Sequence, residues 1–425
     1  MENNIYNPAF GSNMAIQKPR GTRDFLPDEM RFRRWAEGRL RDTARRYGYE
    51  EVMTPTFETL DLFVKKSGPN IISEVYDFQD KGGRKMALRP ELTASVVRMA
   101  IEGMTHVPKP MRVFYMSNCF RYDRPQMGRY REFYQFGAEL LGFGGELVDV
   151  EIIDLACSCL SSMGVVDFQL KVGNISIIRS LLDAWSIKGE KQTEILQILD
   201  KNEEEEALRK LEGVLDSPQV DMLFEITGYS GERAVVEETL KPFPRALDAF
   251  ISLERTCEML VDMGWETEMD LSVVRGLDYY TGMVFEIEVE SLGAEKQVCG
   301  GGAYSLGEVL GGQKMDGCGF AIGFDRVLLT IEPRWDKERE KYLVIPMAKE
   351  AVSRCMELSS RLRDRGFTAI MSVEGRSVGK AMKYANSIDA DFAVIVGEDE
   401  LKNNTASVKN LKTGKQTEMT LDELC

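Results

Sequence analysis

The chain has 425 residues, 43% hydrophobic and 29% charged, and no apolar run in it reaches the ~18–20 residues that span a bilayer. That length suits two or three domains with sizeable cores. A net charge of −15 argues against wholesale binding of nucleic acid, so any grip on a polyanion must come from local basic clusters.

Residues 1–19 form an Asn-rich tail without the charged-then-apolar pattern of a secretory signal, and a cytoplasmic protein is expected. A helix is predicted from Pro27, which suits the first helical position, with Asp28 and Glu29 complementing the dipole, and it should end near Gly48. Arg31, Arg33, Arg34, Arg39, Arg41, Arg45 and Arg46 lie on it, a pattern that fits either a polyanion or a solvated face. Glu50 to Phe57 reads as extended, with Pro55 pointing to an edge position or a sheet end. Val75–Gln79 and Lys85–Leu88 pair across a Gly82-Gly83 turn, and Glu91–Gly103 reads as a helix. His106, the single histidine, sits in a Thr-His-Val-Pro turn and reads as structural. With eight scattered cysteines and no Cys-x-x-Cys, this argues against a His/Cys metal site or a Ser-His or Cys-His catalytic pair.

The most informative segment runs from Arg121 to Glu139. Val113, Tyr115, Ser117, Cys119 and Arg121 alternate with Phe114, Met116, Asn118 and Phe120, the period of a strand. Beyond a Pro125/Gly128 loop, Tyr134, Phe136, Ala138 and Leu140 make an apolar face, and Gln135, Gly137 and Glu139 the opposite one. The glycine would leave room for a ligand to lie on the sheet between an amide and a carboxylate. Arg121 on the partner strand and Arg124, Arg129 and Arg131 in the loop face a single Asp123, which suits a polyanion.

After the hairpin, Gly145–Met163 reads as a helix, and residues 180–260 read as a charged, helix-rich insertion, with continuation of the main core as the alternative. Met283–Glu290 alternates as a strand, and Gly300, Gly301 and Gly302 are predicted to form a turn leading into a short helix. A charged linker at Trp335–Lys341 precedes a strand–helix–strand–helix–strand pattern from Tyr342 to Val396 and a closing hairpin, the signature of a small α/β domain.

Three further segments ask for the same ligand as the hairpin. Leu88-Arg-Pro-Glu-Leu-Thr93 places Glu91 and the Thr93 hydroxyl where a helix begins; Val274-Arg-Gly-Leu-Asp-Tyr-Tyr-Thr-Gly282 sets Arg275 and Asp278 beside two aromatics; Gly319-Phe-Ala-Ile-Gly-Phe-Asp-Arg-Val-Leu329 approaches a helix whose first turn bears Arg326. No Gly-x-x-x-x-Gly-Lys-Ser/Thr loop is present, so a nucleotide's phosphates would have to be held by arginines on a sheet, whose guanidinium groups can make paired hydrogen bonds.

As an ordered set these segments resemble class II aminoacyl-tRNA synthetases, and specifically the histidyl-tRNA synthetase family. The hairpin is similar to the second motif of the class, Gly319–Leu329 to the third, and Pro55 at its strand end to the first, which lies at a dimer interface; a homodimer is therefore implied. Arg275-Gly-Leu-Asp-Tyr-Tyr280 is similar to a signature of the histidyl enzymes. The resemblance implies an α+β catalytic domain over 20–335 with a mainly antiparallel sheet flanked by helices, a helical insertion at about 180–260, and an α/β anticodon-binding domain over 341–425. It further implies activation of histidine by ATP with Mg²⁺ and transfer to tRNA(His), without a structural metal. Arg121 and Arg275 would act on the α-phosphate and Arg326 on the far end of ATP. Glu91, Thr93 and Gln135 would surround the ammonium of histidine, Glu139 and Tyr280 its imidazole, and Tyr304 would close the pocket. Arg124 and Gln126 would meet the acceptor end of the tRNA. Leu92 and Ala303 depart from the Gly and Arg common in the family. Two other readings share the resemblance: a non-catalytic paralogue serving as regulatory subunit of ATP phosphoribosyltransferase, which usually lacks the C-terminal module and the arginine matching Arg275, and a tRNA-binding sensor.

Overall fold

Helix α1 (Pro27–Arg46) begins where the Glu29 carboxylate accepts the Leu26 N–H at 3.1 Å, and it buries Phe32, Ala36, Leu40 and Ala44 at helical spacing. The structure, a computed structural model, describes residues 16–123, 128–201, 204–228, 231, 233–273, 279–336, 339–373 and 377–424. After α1 come β1 (Glu50–Glu51), β2 (Phe57–Thr59), α2 (Leu60–Ser67), β3 (Asp77–Gln79), β4 (Lys85–Leu88) and α3 (Thr93–Gly103). The long hairpin is β5 (Met111–Phe120) and β6 (Glu132–Leu141), followed by α4 (Glu146–Ser162) and β7 (Gln169–Asn174). Helices α5 (Ile175–Ala184), α6 (Glu190–Lys201), α7 (Glu204–Leu211), α8 (Ser217–Thr227), α9 (Arg233–Leu240) and α10 (Pro244–Asp262) precede β8 (Thr267–Met269), β9 (Tyr280–Glu288), β10 (Gln297–Ser305), β11 (Asp316–Gly323) and α11 (Phe324–Val327).

Eight of these strands form one sheet in the order β1-β5-β6-β11-β10-β9-β7-β8. Its inner pairs are antiparallel and only the two end pairs, β1–β5 and β7–β8, are parallel. β1 closes one edge of that sheet, in keeping with the Pro55 that follows it. A separate three-stranded sheet, β2-β4-β3, carries the loop that leads into α3.

The structure corrects or adds to the sequence reading at three points. Gly300, Gly301 and Gly302 lie inside β10 rather than in a turn. The glycines are there because the chains crowd: a Cβ on Gly301 would stand 2.2 Å from the Gly319 carbonyl oxygen. Second, the helices of 180–260 share the main core. Leu181, Leu223, Phe250 and Leu260 belong to the same buried cluster as Phe114, Phe136 and Phe320 of the sheet, so these helices pack on the sheet's core. Third, β7 and β8, which flank these helices, were not anticipated; with Leu170 and Val172 as the only buried apolar side chains of β7, their alternation is too brief to register.

Trp335–Cys425 forms a second compact unit. It consists of β12 (Lys341–Pro346), α12 (Val352–Asp364), β13 (Thr368–Met371), α13 (Val378–Ser387), β14 (Phe392–Val396), α14 (Glu398–Asn403), β15 (Thr405–Asn410) and β16 (Gln416–Thr420). The order is β13-β12-β14-β15-β16, parallel over the first three and antiparallel over the last two pairs. Along β12, Val344 packs into one buried cluster with Leu358 and Val394, while Leu343 and Ile345 join Ala381 and Ala385 in another. Both faces of the parallel strands are covered, which explains their unbroken apolar sequences.

Candidate active site

Strands β5 and β6 pair so that Ser117 faces Gln135, Tyr115 faces Gly137 and Val113 faces Glu139. On the other side of β6, Gly319 of β11 faces Glu139. The expected alternation holds, for Phe136, Ala138 and Leu140 are buried on one face and Glu139 stands on the other. The room above Gly137, however, is taken by the protein itself: a Cβ there would lie 2.4 Å from the Tyr115 hydroxyl. Gly319 in turn makes room for the Glu139 carboxyl, since a Cβ at that position would fall 1.7 Å from Glu139 Oε2.

Glu139 is fully buried. A buried carboxyl needs donors, and three hydroxyl groups supply them. Thr93 Oγ1 donates to Oε1 at 2.8 Å, Tyr115 to the same oxygen at 3.3 Å, and Tyr304 to Oε2 at 2.5 Å. Burial pushes the Glu139 pKa up to about 7, with the Tyr304 and Thr93 hydrogen bonds pulling the other way. Thr93 opens α3, whose first N–H groups need acceptors. Glu91 provides them, taking the Thr93 N–H at 2.7 Å and the Ala94 N–H at 3.2 Å. Lys66, near the end of α2, reaches Glu91 Oε2 at 2.9 Å. The wall beside these groups is aromatic: the Tyr279 ring lies 4.4 Å from Tyr280 and 5.9 Å from Tyr304, and Tyr280 is the cross-strand neighbour of Tyr304.

Glu91, Thr93, Glu139 and Tyr304 are therefore joined in one network, with Tyr280 next to it. Gln135 stands further along β6 and accepts the Cys119 thiol at 3.3 Å. Arg121 follows β5 directly; its Nε donates to the Pro90 carbonyl at 3.0 Å, which ties it to the Glu91 loop, and its guanidinium lies 5.2 Å from the Phe133 ring. Arg326 donates to the Gln297 carbonyl at 2.6 Å, and its Nε would stand 3.8 Å from a Cβ at Gly128. Arg326 therefore lies by Gly128, and Arg121 by Phe133, of the segment that runs from β5 into β6. Arg275, Arg124 and Gln126 lie outside the described residues.

Residues 21–327 match the histidyl-tRNA synthetase family, and residues 341–425 match the anticodon binding domain family. The chain belongs to the histidyl-tRNA synthetase family. It is 44% identical over 416 residues to a histidine–tRNA ligase of Archaeoglobus fulgidus, covering 97% of this chain and 99% of that one. A histidine–tRNA ligase of Methanocaldococcus jannaschii is 41% identical over 417 residues, with coverage of 97% and 99%. Among solved structures, the apo histidyl-tRNA synthetase of S. aureus superposes with a TM-score of 0.74 at 30% identity, covering 96% of this chain and 98% of that one.

In this histidyl-tRNA synthetase family member several residues around the site were not singled out from the sequence. Asp325 accepts Arg33 Nη1 at 2.6 Å and the Tyr134 N–H at 2.6 Å, and Arg23 Nη2 is ion-paired with it at 2.7 Å, so the buried carboxylate fixes the start of α11, and with it Arg326, against β6. Arg33 is buried there rather than presented to a polyanion, stacked on Phe25 at 4.0 Å. Most of its helical companions are also spent on carboxylates: Arg34 and Arg41 on Glu37, Arg45 on Glu51, and Arg46 on Asp42. Acidic residues at helical spacing on α1 were the available signal. Lys66 and Tyr115 carried none.

Proposed function

We propose that this protein is a histidine–tRNA ligase that joins histidine to AMP at the expense of ATP and then passes the histidyl group to the 3′ end of tRNA(His). The observation that carries this reading is Glu139: in a chain of this family, a carboxylate sealed beneath an aromatic wall and oriented by three hydroxyl groups is built for a ring that offers N–H donors. Histidine is such a ring, and a site made to hydrogen-bond a donor rejects analogues that lack it.

In this reading the imidazole meets Glu139 and Tyr280, the ammonium meets Glu91, Thr93 and Gln135, and Tyr304 closes the pocket. The histidine carboxylate oxygen attacks the α-phosphate of ATP, a P–O bond forms, and the bond to the departing pyrophosphate breaks. Arg121 and Arg275 spread the negative charge that develops, and Arg326 holds the β,γ end. Catalysis is then positioning and electrostatic stabilisation without a covalent enzyme intermediate. Mg²⁺ enters with ATP as part of the substrate. The terminal ribose hydroxyl of the tRNA next attacks the adenylate carbonyl and AMP leaves. Arg124 and Gln126 meet the acceptor end, and residues 341–425 read the anticodon. The catalytic domain is assigned to 20–335 and the protein to a cytoplasmic homodimer. The match of 341–425 to an anticodon-binding family weighs against a regulatory subunit without that module.

The test is ATP–pyrophosphate exchange with each of the twenty amino acids. Exchange dependent on histidine alone is expected. Exchange with a different amino acid, or with none, overturns the assignment.

A further inference from the structure

Lys66 is a buried cation beside this site. Its side chain is 1% exposed, its Nζ stands 2.9 Å from Glu91 Oε2, and the same atom lies 4.1 Å from the centroid of the Tyr279 ring. An ammonium is costly to bury, and an apolar side chain of similar volume would fill the space at lower cost. What the lysine adds is charge. Glu91, which it touches, accepts the Thr93 and Ala94 N–H groups, and the Thr93 hydroxyl donates to Glu139 at 2.8 Å. Lys66, Glu91, Thr93 and Glu139 form one chain of contacts drawn from α2, the loop before α3, α3 itself and β6.

We propose that Lys66 is a specificity-determining positioning residue: its ammonium, held between Glu91 and the Tyr279 ring, keeps Glu91 aligned and, through Thr93, holds Glu139 in place to accept an imidazole N–H. This rests on the reading of Glu91 and Glu139 as ligands of histidine and adds the residue that balances their charge.

Among the described residues, the charged groups that act on Lys66 are Glu91 from the loop before α3, Glu139 from β6 and Arg121 after β5. The surrounding Tyr115, Cys119, Tyr279 and Tyr304 stay neutral, since burial pushes each of them up. Burial lowers the pKa of Lys66 itself, while Glu91 draws it back up. The Glu91 charge makes Glu139 hold its proton and the Lys66 charge makes Glu139 release it. Removing Lys66 leaves Glu91 uncompensated, so Glu139 ionises only at a higher pH and accepts the ring N–H over a narrower range.

The experiment is histidine-dependent ATP–pyrophosphate exchange by the full-length protein and its K66M, K66Q and K66R variants across about pH 5.5–9, the range in which histidine and a raised carboxyl titrate. K66M is expected to raise KM for histidine about tenfold, the equivalent of one pKa unit, with KM for ATP changed less than about twofold. The acidic limb of log kcat/KM for histidine should move up by about one pH unit, and K66R should bring it back. If K66M does not fold, K66Q, which keeps polarity and loses charge, decides the same question. An unmoved limb with KM for histidine and ATP rising together reduces Lys66 to packing and overturns the proposal, as does K66R behaving like K66M. A wild-type protein without histidine dependence overturns the reading of the site and this proposal with it, whereas a histidine-dependent wild type with an unmoved K66M limb overturns only the role of Lys66.

Discussion

Two carboxyl groups stand behind opposite faces of β11, and burial pushes both of them up to about 7. Glu139 lies over Gly319, while Asp149 of α4 bonds the thiol of the adjacent Cys318, which points the other way. Their environments differ in the donors on offer. Glu139 is met by hydroxyl groups from α3, β5 and β10. Asp149 has one thiol, itself pushed up by burial, and its Oδ1 has no hydrogen-bond partner among the described residues. Desolvation alone therefore does not mark a functional carboxyl, since it raises both. The mark is a set of separate elements that each spend a donor on the group and open it toward an aromatic wall. On the proposed function Glu139 serves recognition, whereas Asp149 packs in the core.

Substitutions can break this contrast. The largest effect is expected outside the pair, at Arg121, which in the proposed function spreads the charge that develops on the α-phosphate. Arg121→Ala should cost about 3–4 kcal/mol in kcat/KM for exchange, the range of a lost oxyanion donor. A loss confined to KM would remove Arg121 from the chemical step. Next is Glu139→Gln, which keeps shape and removes the charge. It should raise KM for histidine by about a hundredfold, in the range of a lost hydrogen bond to a charged group, and leave KM for ATP nearly unchanged. Equal losses for both substrates would mean that the carboxylate does not face the imidazole. Tyr304→Phe removes one of three hydroxyl donors to the same group, and about a tenfold rise in KM for histidine is expected. Tyr304 also helps hold Glu139 ionised at a lower pH, so the acidic limb of the histidine profile should move to higher pH in that variant.

Much of this arrangement is legible in the sequence, for specific reasons. The alternation of β5 and β6 is long, so one register assigns Gln135, Gly137 and Glu139 to a single face. The parallel strands of the C-terminal unit read correctly because both of their faces are buried. Lys66 is not legible: Lys65 and Lys66 end an amphipathic helix, where basic residues normally complement the dipole in water, and only the fold turns one of them inward. The Gly300–Gly302 run fails in the opposite way. Three glycines signal a turn unless neighbouring strands approach so closely that side chains cannot fit, which is a property of the partners and not of the run. The position of Glu139 is legible in its strand, but the space beside Gly319 and the hydroxyl that Tyr304 donates are not, because those residues are 180 and 165 residues away from it.

The smallest effect on activity is expected at Asp149, and there the contrast is sharpest. Asp149→Asn should leave KM for histidine and exchange within about twofold of wild type, because α4 lies behind the sheet. Its effect belongs to stability, with a definite sign. The folded pKa of about 7 lies above the unfolded value of about 3.9. Between these values the native state holds a proton that the unfolded chain has released, so the contribution of the group is complete below about pH 4 and is lost as pH rises through about 7. An Asn cannot titrate. Denaturant unfolding of wild type should therefore show stability falling from pH 5 to pH 8 more steeply than in the Asn variant, with the variant the more stable of the two at pH 8. About 4 kcal/mol is the ceiling for that difference, from a shift of three pKa units. If the two slopes coincide, Asp149 is solvated in the folded protein and its resemblance to Glu139 disappears. If the Asn variant instead changes KM for histidine, the faces of β11 are coupled through Cys318 and Gly319, and the division between recognition and core must be redrawn along the strand rather than across it.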